Sequence, residues 1–509
     1  MRYGFVIDQN RCIGCHACTV ACKEEHNVPI GVYRTWVKYI EKGEFPDTKR
    51  YFSVLRCNHC DDAPCIEICP TVALFRRSDG IVDFDNSRCI GCKSCMQACP
   101  YDALYIDPNT RTAAKCNFCA HRVEVGLEPA CVIVCPEQAI LAGDLDDPGS
   151  RISRTVATQK TSVRKAEKGT KPKLFYLGVE GDLLQPTMME PQSTHLWADK
   201  KPGEDLYALA REKKNASTPG AAREVYDVPH PQLWGWKIAS YLWTKSIAAG
   251  VLLIAAILLQ TRHEGGPLLN VASPILALIF LGITTLLLVF DLKRPERFYY
   301  LLTKPNLKSW LVLGGYVLLL YGLFAFLWLF SGFVKGSVSR LLSWPTAFFA
   351  ALSACYSAFL FAQAKGRDLW QSPLFLWHLL AQTLAAGSAT LILAFPLFPE
   401  AGLAGTLGKI LALSLAFSLA MILAEIYLTH VSEDVKRATD LLKKGAFSQS
   451  FWLLVIGVGG FFPLVLLISS GFQEGEPNLS YVLASLFALI GLWVFEDLWV
   501  KAGQAVSLS

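Results

Sequence analysis

The sequence predicts two unlike parts in one chain: a cysteine-rich α+β domain, followed by an all-α domain of eight membrane-crossing helices. Two distributions predict this. Sixteen of the seventeen cysteines fall between Cys12 and Cys135, and the last, Cys355, stands alone in an apolar run. Beyond about Leu233 long apolar stretches dominate, whereas the residues before it are polar and mixed. The expected divisions are a cysteine domain over 1–145, a charged extension or partner-docking segment over 146–232, and a membrane domain over 233–509.

The cysteines form four groups. Cys12, Cys15, Cys18 and Cys22 are spaced C-x2-C-x2-C-x3-C, and Cys89, Cys92, Cys95 and Cys99 repeat that spacing. Cys57, Cys60, Cys65 and Cys69 open the middle gap slightly, while Cys116, Cys119, Cys131 and Cys135 open it widely. Pro70, Pro100 and Pro136 follow the last three groups, and a proline with fixed φ and no N–H helps to end the local turn. Three closely spaced cysteines wrap one iron–sulfur cube, and the fourth points away to ligate a second. Each bacterial-ferredoxin-like unit therefore needs two groups. Four groups make a tandem of two units, and sixteen cysteines divide into four [4Fe–4S] clusters with none left over.

Disulfides would suit a small secreted domain. The N-terminus MRYGFVIDQNRCIGC instead enters the first motif without a basic and apolar leader or a twin-arginine pair, so no export signal is expected. Zinc sites use C-x2-C pairs but rarely the triple run seen here.

In all four groups, including Cys57-Asn-His-Cys60 and Ala63-Pro-Cys65, the first 190 or so residues resemble the four-cluster electron-transfer subunits of the dimethyl-sulfoxide-reductase and polysulfide-reductase type. That resemblance implies pairing of the first group with the fourth and the second with the third. One cluster then takes Cys12, Cys15, Cys18 and Cys135, and its neighbour takes Cys22, Cys116, Cys119 and Cys131. The other unit takes Cys57, Cys60, Cys65 and Cys99, then Cys69, Cys89, Cys92 and Cys95. In the segment that follows, Lys160, Arg164, Lys165, Lys168, Lys171 and Lys173 suggest a solvated stretch with packed pieces such as Leu174–Leu177, or else a wrap around the cysteine core or a dock for a partner.

A transmembrane helix needs roughly 20 predominantly apolar residues. Runs near 236–259, 273–290, 310–333, 344–364, 375–395, 406–430, 451–470 and 480–499 qualify, the second and fourth being shorter or more polar than the rest. With eight spans both ends of the domain share a side. The loops on that side hold Lys293, Arg294, Arg297, Lys304, Lys308, Lys365, Arg367, Lys436, Arg437, Lys443, Lys444 and Lys501. Those opposite hold Arg262, Lys335 and Arg340, with Lys409 near a helix start. By the positive-inside rule this places the cysteine domain on the cytoplasmic side of an inner membrane. The net charge of +5 has this topological explanation, and no basic stripe interleaved with aromatics points to nucleic acid.

The first and fifth runs repeat each other: YLWTKSIAAG from Tyr241 to Gly250 matches HLLAQTLAAG from His378 to Gly387. Both end in small residues that permit close helix approach. A repeat of four helices preserves orientation, so the domain reads as two parallel four-helix halves. Ionisable groups inside spans are costly and often functional. Lys245, whose repeat mate is Gln382, is the foremost, followed by His378 and Glu425.

The run DLKRPERF from Asp291 to Phe298, KPNLKSW from Lys304 to Trp310, Trp234-Gly-Trp236 and the patch Ala248-Ala-Gly250 resemble the NrfD/polysulfide-reductase membrane subunits. That family implies no haem, a fold of two times four helices and a quinone site near the iron–sulfur subunit. His378 and His430 do not pair on facing spans as haem ligands would. Fusion of the two subunits departs from the usual separate chains. Trp236, Tyr241, Lys245 and Asp291 gather at the cluster-side end of the first two spans and are the expected quinone- or menaquinone-site residues, an amine there being able to hydrogen-bond a quinone oxygen. No glycine-rich dinucleotide fingerprint is present. The protein thus reads as the iron–sulfur and membrane-anchor subunit of a respiratory oxidoreductase, in contact with lipid and quinone. By resemblance its catalytic partner is a molybdenum or tungsten bis-pterin subunit. Two other classes fit the residues: an ion-translocating module using Lys245, His378 and Glu425, or a membrane scaffold and electron store without a quinone site.

Overall fold

The computed structural model describes residues 1–44, 46–189, 222–261, 265–428, 432–472, 475 and 477–509. Of the positions singled out from the sequence, Arg262, His430 and the middle of the charged segment, 190–221, lie outside the described residues. By contact the chain forms two units. The first comprises Met1–Ile66, Val72–Pro231 and Ser507–Ser509, the second Glu67–Thr71 and Gln232–Val506.

The strands of the first unit are β1 (Tyr3–Asp8), β2 (Thr35–Glu44), β3 (Asp47–Arg56), β4 (Leu74–Arg76), β5 (Val82–Phe84), β6 (Leu104–Ile106), β7 (Ala113–Lys115), β8 (Ile140–Asp144), β9 (Thr161–Ser162), β10 (Leu174–Leu177) and β11 (Arg223–Tyr226). They form four small sheets, ordered β8-β1-β10-β9, β11-β2-β3, β4-β5 and β6-β7. β1 is the centre of the first. It runs antiparallel to β8 and parallel to β10, with Phe5, Val6 and Ile7 at most 1% exposed. Leu174–Leu177 is therefore not merely a packed piece but an inner strand of the main sheet.

The charged segment is also less solvated than its composition suggests, since Arg164, Lys165 and Lys173 are buried. Buried cations need partners. Lys173 Nζ donates to the Gly80 carbonyl at 2.7 Å and pairs with Asp61 at 3.2 Å. Arg164 donates to the Leu508 carbonyl at 2.9 Å.

The second unit has eight helices long and apolar enough to cross a membrane. They are Trp236–Thr261, Leu268–Asp291, Trp310–Lys335, Arg340–Ala362, Phe375–Ala394, Ala404–Leu428, Ser448–Ser469 and Leu479–Ala505, here spans one to eight. The expectation of a short second span is corrected. A π-helical turn at Leu268–Ala272 extends it to 24 residues, and the shortest is span five, with 20. Spans one and five are the axes of the bundle. Span one packs against spans two, four, five and eight, and 89% of its apolar window is buried, against 28% for spans two and three.

The repeat explains this position. A methyl group on Gly250 would collide with the Thr383 carbonyl and the Gly387 backbone, and one on Gly387 would strike Gly250 in turn. The matched glycines of the two repeats are thus the contact at which their helices cross.

Hydrogen bonds at the loops mark one end of the bundle. Lys237 Nζ donates to the Phe290 carbonyl at 2.9 Å, joining the start of span one to the end of span two. Arg367, between spans four and five, donates to the carbonyls of Gln504 and Val506 at 3.2 and 2.9 Å and caps span eight. At the other end Glu400 accepts from the backbone N–H of Gly266 at 2.8 Å.

Candidate functional site

Each cysteine group turns the backbone left-handed at the residue just before its second cysteine. Gly14, His59, Gly91 and Phe118 have φ of 69°, 44°, 68° and 63°. Glycine takes this conformation freely, while His59 and Phe118 accept a steric cost. Their burial, at 1% exposure each, and the contact of their rings at 5.4 Å hold them there. At Gly14 the space is closed as well, because a Cβ would run into the Phe52 ring.

At two of these turns backbone N–H groups point at sulfur, His59 N 3.5 Å from Cys57 Sγ and Gly91 N 3.4 Å from Cys89 Sγ; past the last cysteine, Ala139 N lies 3.2 Å from Cys135 Sγ. After the first turn comes the helix Ala17–Glu25, which carries Cys18 and Cys22 four residues apart and so on one face.

None of the seventeen cysteines is in a disulfide. Four thiols, those of Cys12, Cys15, Cys18 and Cys135, line one cavity together with Val37, Val54 and Ile140. Another is lined by Cys57, Cys60, Cys65 and Cys99 with Ala63, Pro64 and Leu104. Cys116, Cys131, Arg56 and Cys119 all lie within electrostatic reach of Cys22.

Among the described residues no three ligand side chains converge on a point that a single metal ion would occupy. Four thiols around an apolar cavity suit a larger, polynuclear group, and a cubane is such a group. Burial raises the Cys18 thiol to about 11 and that of Cys116 to about 12, against the partial relief given by Arg56. Anionic thiolates there need a metal or cluster to compensate. His26 Nε2 sits 3.1 Å from Cys119 Sγ. Burial, then the charges of Arg34 and His121, pull this imidazole down to about 4, so it is neutral at physiological pH.

In the membrane-spanning unit Lys245 is fully buried. Its Nζ donates to Ser357 Oγ at 2.7 Å and to the Ala354 carbonyl at 3.0 Å, and lies 4.8 Å from the Tyr356 ring centre. Tyr241 is buried one helical turn before Lys245, within electrostatic reach of Tyr356, Glu496 and Asp291. Trp236, by contrast, is 57% exposed at the start of span one. Tyr241 thus lies one turn from Lys245 and within electrostatic reach of Asp291, while Trp236 stays exposed.

His378 and Glu425 meet across spans five and six, Nδ1 to Oε2 at 3.5 Å. Glu496, on span eight, lies within electrostatic reach of both Lys245 and Glu425, is 2% exposed, and has an Oε2 without a hydrogen bond among the described residues. It completes a buried line of ionisable groups that the sequence reading missed. The signal was present, since an acid inside the apolar run 480–499 is as anomalous as Lys245. Ser357 and Tyr356 carried no such signal. Within the same unit Asn306 Nδ2, in the loop after span two, donates to the Cys69 carbonyl at 2.8 Å.

The sequence pattern of the family described as "Polysulphide reductase, NrfD" matches residues 225–506, more than half of the chain. A 4Fe-4S dicluster domain matches residues 48–145, and a 4Fe-4S binding domain residues 3–24. The protein is 44% identical over 202 residues to a tetrathionate reductase subunit of Salmonella typhimurium, covering 39% of this sequence and 80% of that protein. It is 45% identical over 179 residues to a polysulfide reductase chain of Wolinella succinogenes, covering 34% and 93%. To the arsenate respiratory reductase iron–sulfur subunit ArrB of Shewanella it is 37% identical over 227 residues, covering 35% and 96%.

Proposed function

Because this protein belongs to the polysulphide reductase NrfD family and carries 4Fe-4S cluster-binding domains in the same polypeptide, we propose that it conducts electrons between a separate catalytic subunit and membrane quinone. The observation that carries this reading is the joining of sixteen cysteines, enough for four clusters, to eight spans with a buried lysine near one end.

The ligand sets are Cys12, Cys15, Cys18 and Cys135; Cys22, Cys116, Cys119 and Cys131; Cys57, Cys60, Cys65 and Cys99; and Cys69, Cys89, Cys92 and Cys95. The two four-thiol cavities and the neighbours of Cys22 support the first three. Bound clusters would supply one-electron relay. The polypeptide holds their thiolates, sheds water from them and donates N–H hydrogen bonds to sulfur.

Quinone or menaquinone binds beside Tyr241, Lys245 and Asp291, with Trp236 at the rim. There Lys245 donates a hydrogen bond to a quinone oxygen and exchanges a proton with it. The line through Glu496, Glu425 and His378 also supports a second reading, in which protons move through the bundle. The partner is a molybdenum or tungsten bis-pterin subunit, in keeping with relatives named as parts of tetrathionate, polysulfide and arsenate reductases. The cysteine domain faces the cytoplasm.

Metal analysis of the native complex in mild detergent tests this. Molybdenum or tungsten with about sixteen or more irons per copy is expected, as four four-iron clusters require. Nickel, or iron alone, would overturn the bis-pterin partner, and well under sixteen irons would overturn the ligand sets.

A further inference from the structure

Arg56 ends β3 with its side chain 1% exposed. Its Nη1 donates to Cys131 Sγ at 3.0 Å, and its guanidinium lies 4.6 Å from the Phe5 ring centre. Nε and Nη2 find no hydrogen-bond acceptor among the described residues. The charges that reach it most strongly are those of Cys131, Cys116 and Cys18. Arginine stays charged in proteins, and a buried cation without a counter-charge is strongly destabilising. The arrangement therefore requires negative charge at those sulfurs.

Cys131 and Cys116 belong to one proposed ligand set and Cys18 to its neighbour, so the guanidinium stands against two clusters at once. We propose that Arg56 is a positioning residue for charge: it holds up the reduction potential of the cluster ligated by Cys22, Cys116, Cys119 and Cys131, and to a smaller degree that of its neighbour. The proposal rests on the ligand sets given above.

One-electron reduction, with dithionite as donor, adds one negative charge to a cluster. A fixed cation at hydrogen-bond distance from a ligating sulfur stabilises that reduced form over the oxidised one. Net charge and hydrogen bonds to sulfur are among the determinants of such potentials. Lysine in place of Arg56 keeps the charge but not the planar guanidinium geometry that meets Cys131, and glutamine removes the charge.

The test is an EPR-monitored redox titration of the intact membrane complex, with iron counted in each sample, for the wild type, Arg56→Lys and Arg56→Gln. One midpoint is expected to fall in both variants. In Arg56→Gln it falls by at least tenfold in the one-electron equilibrium, about 59 mV, with a smaller step in Arg56→Lys. The cluster ligated by Cys69, Cys89, Cys92 and Cys95, none of them beside Arg56 in the sequence, keeps its midpoint.

If Arg56→Gln fails to retain its iron, the Lys variant decides by the same signal. Four clusters with unchanged midpoints in the Lys variant, or an equal fall of all four, would overturn the proposal. Loss of a cluster from both variants would overturn it too, making Arg56 a requirement for assembly. Fewer than four clusters in the wild type would instead sink the ligand sets on which it rests.

Discussion

Lys245 sits with none of its surface exposed on a helix of 26 residues, its amine held by one hydroxyl and one carbonyl. An ionisable group at that depth is retained against a sizeable cost, which is why the sequence alone marked it. What the sequence did not show is its setting of Ser357, Tyr356 and Glu496, since these come from spans four and eight, far along the chain. Lys245→Ala should lower quinone turnover by on the order of 10²-fold, the scale of a lost proton-transfer group, with all cluster EPR signals intact. Turnover equal to wild type in a quinol-linked assay would remove Lys245 from the site. Arg56 is the converse case. In the sequence it is one more arginine beside a cysteine, and only the folding of β3 against β1 and the fourth cysteine group gives it a role.

At the scale of elements, the crossing of spans one and five depends on two glycines without room for a methyl group. The ten-residue repeat announced both. Bilayer lipid is as apolar as leucine, so close backbone packing rather than hydrophobicity holds such helices together. Gly250→Val should separate the axial helices, with an overpacking cost of about 1–3 kcal/mol. Thermal unfolding in detergent is the readout, and a melting temperature matching the wild type would show that the crossing relaxes freely. Span limits were less legible. The π-helical turn that lengthens span two, Leu268–Ala272, depends on side chains such as Asn270, whose amide bonds to the carbonyls of Gly265 and Gly336. Hydropathy does not see such contacts. The left-handed turns were half legible, since Gly14 and Gly91 advertise them whereas His59 and Phe118 do not.

For the whole molecule, the basic loops gather at one end of the bundle, where Lys237 and Arg367 also tie helix ends together. On the proposed orientation, protease added to inside-out vesicles should digest the cysteine domain, and protection there would reverse the assignment. The sequence by itself determined the cofactor class, the sixteen cysteines, the eight spans and the repeat. These rest on local spacing and on the number of apolar residues needed to cross lipid, both of which are one-dimensional quantities. Only the tertiary structure decided which thiols share a cavity, that Glu496 joins Lys245 and Glu425, and that Arg56 lies against Cys131. Those are meetings between residues tens to hundreds of positions apart. Charge burial and packing select them only once the chain has closed on itself.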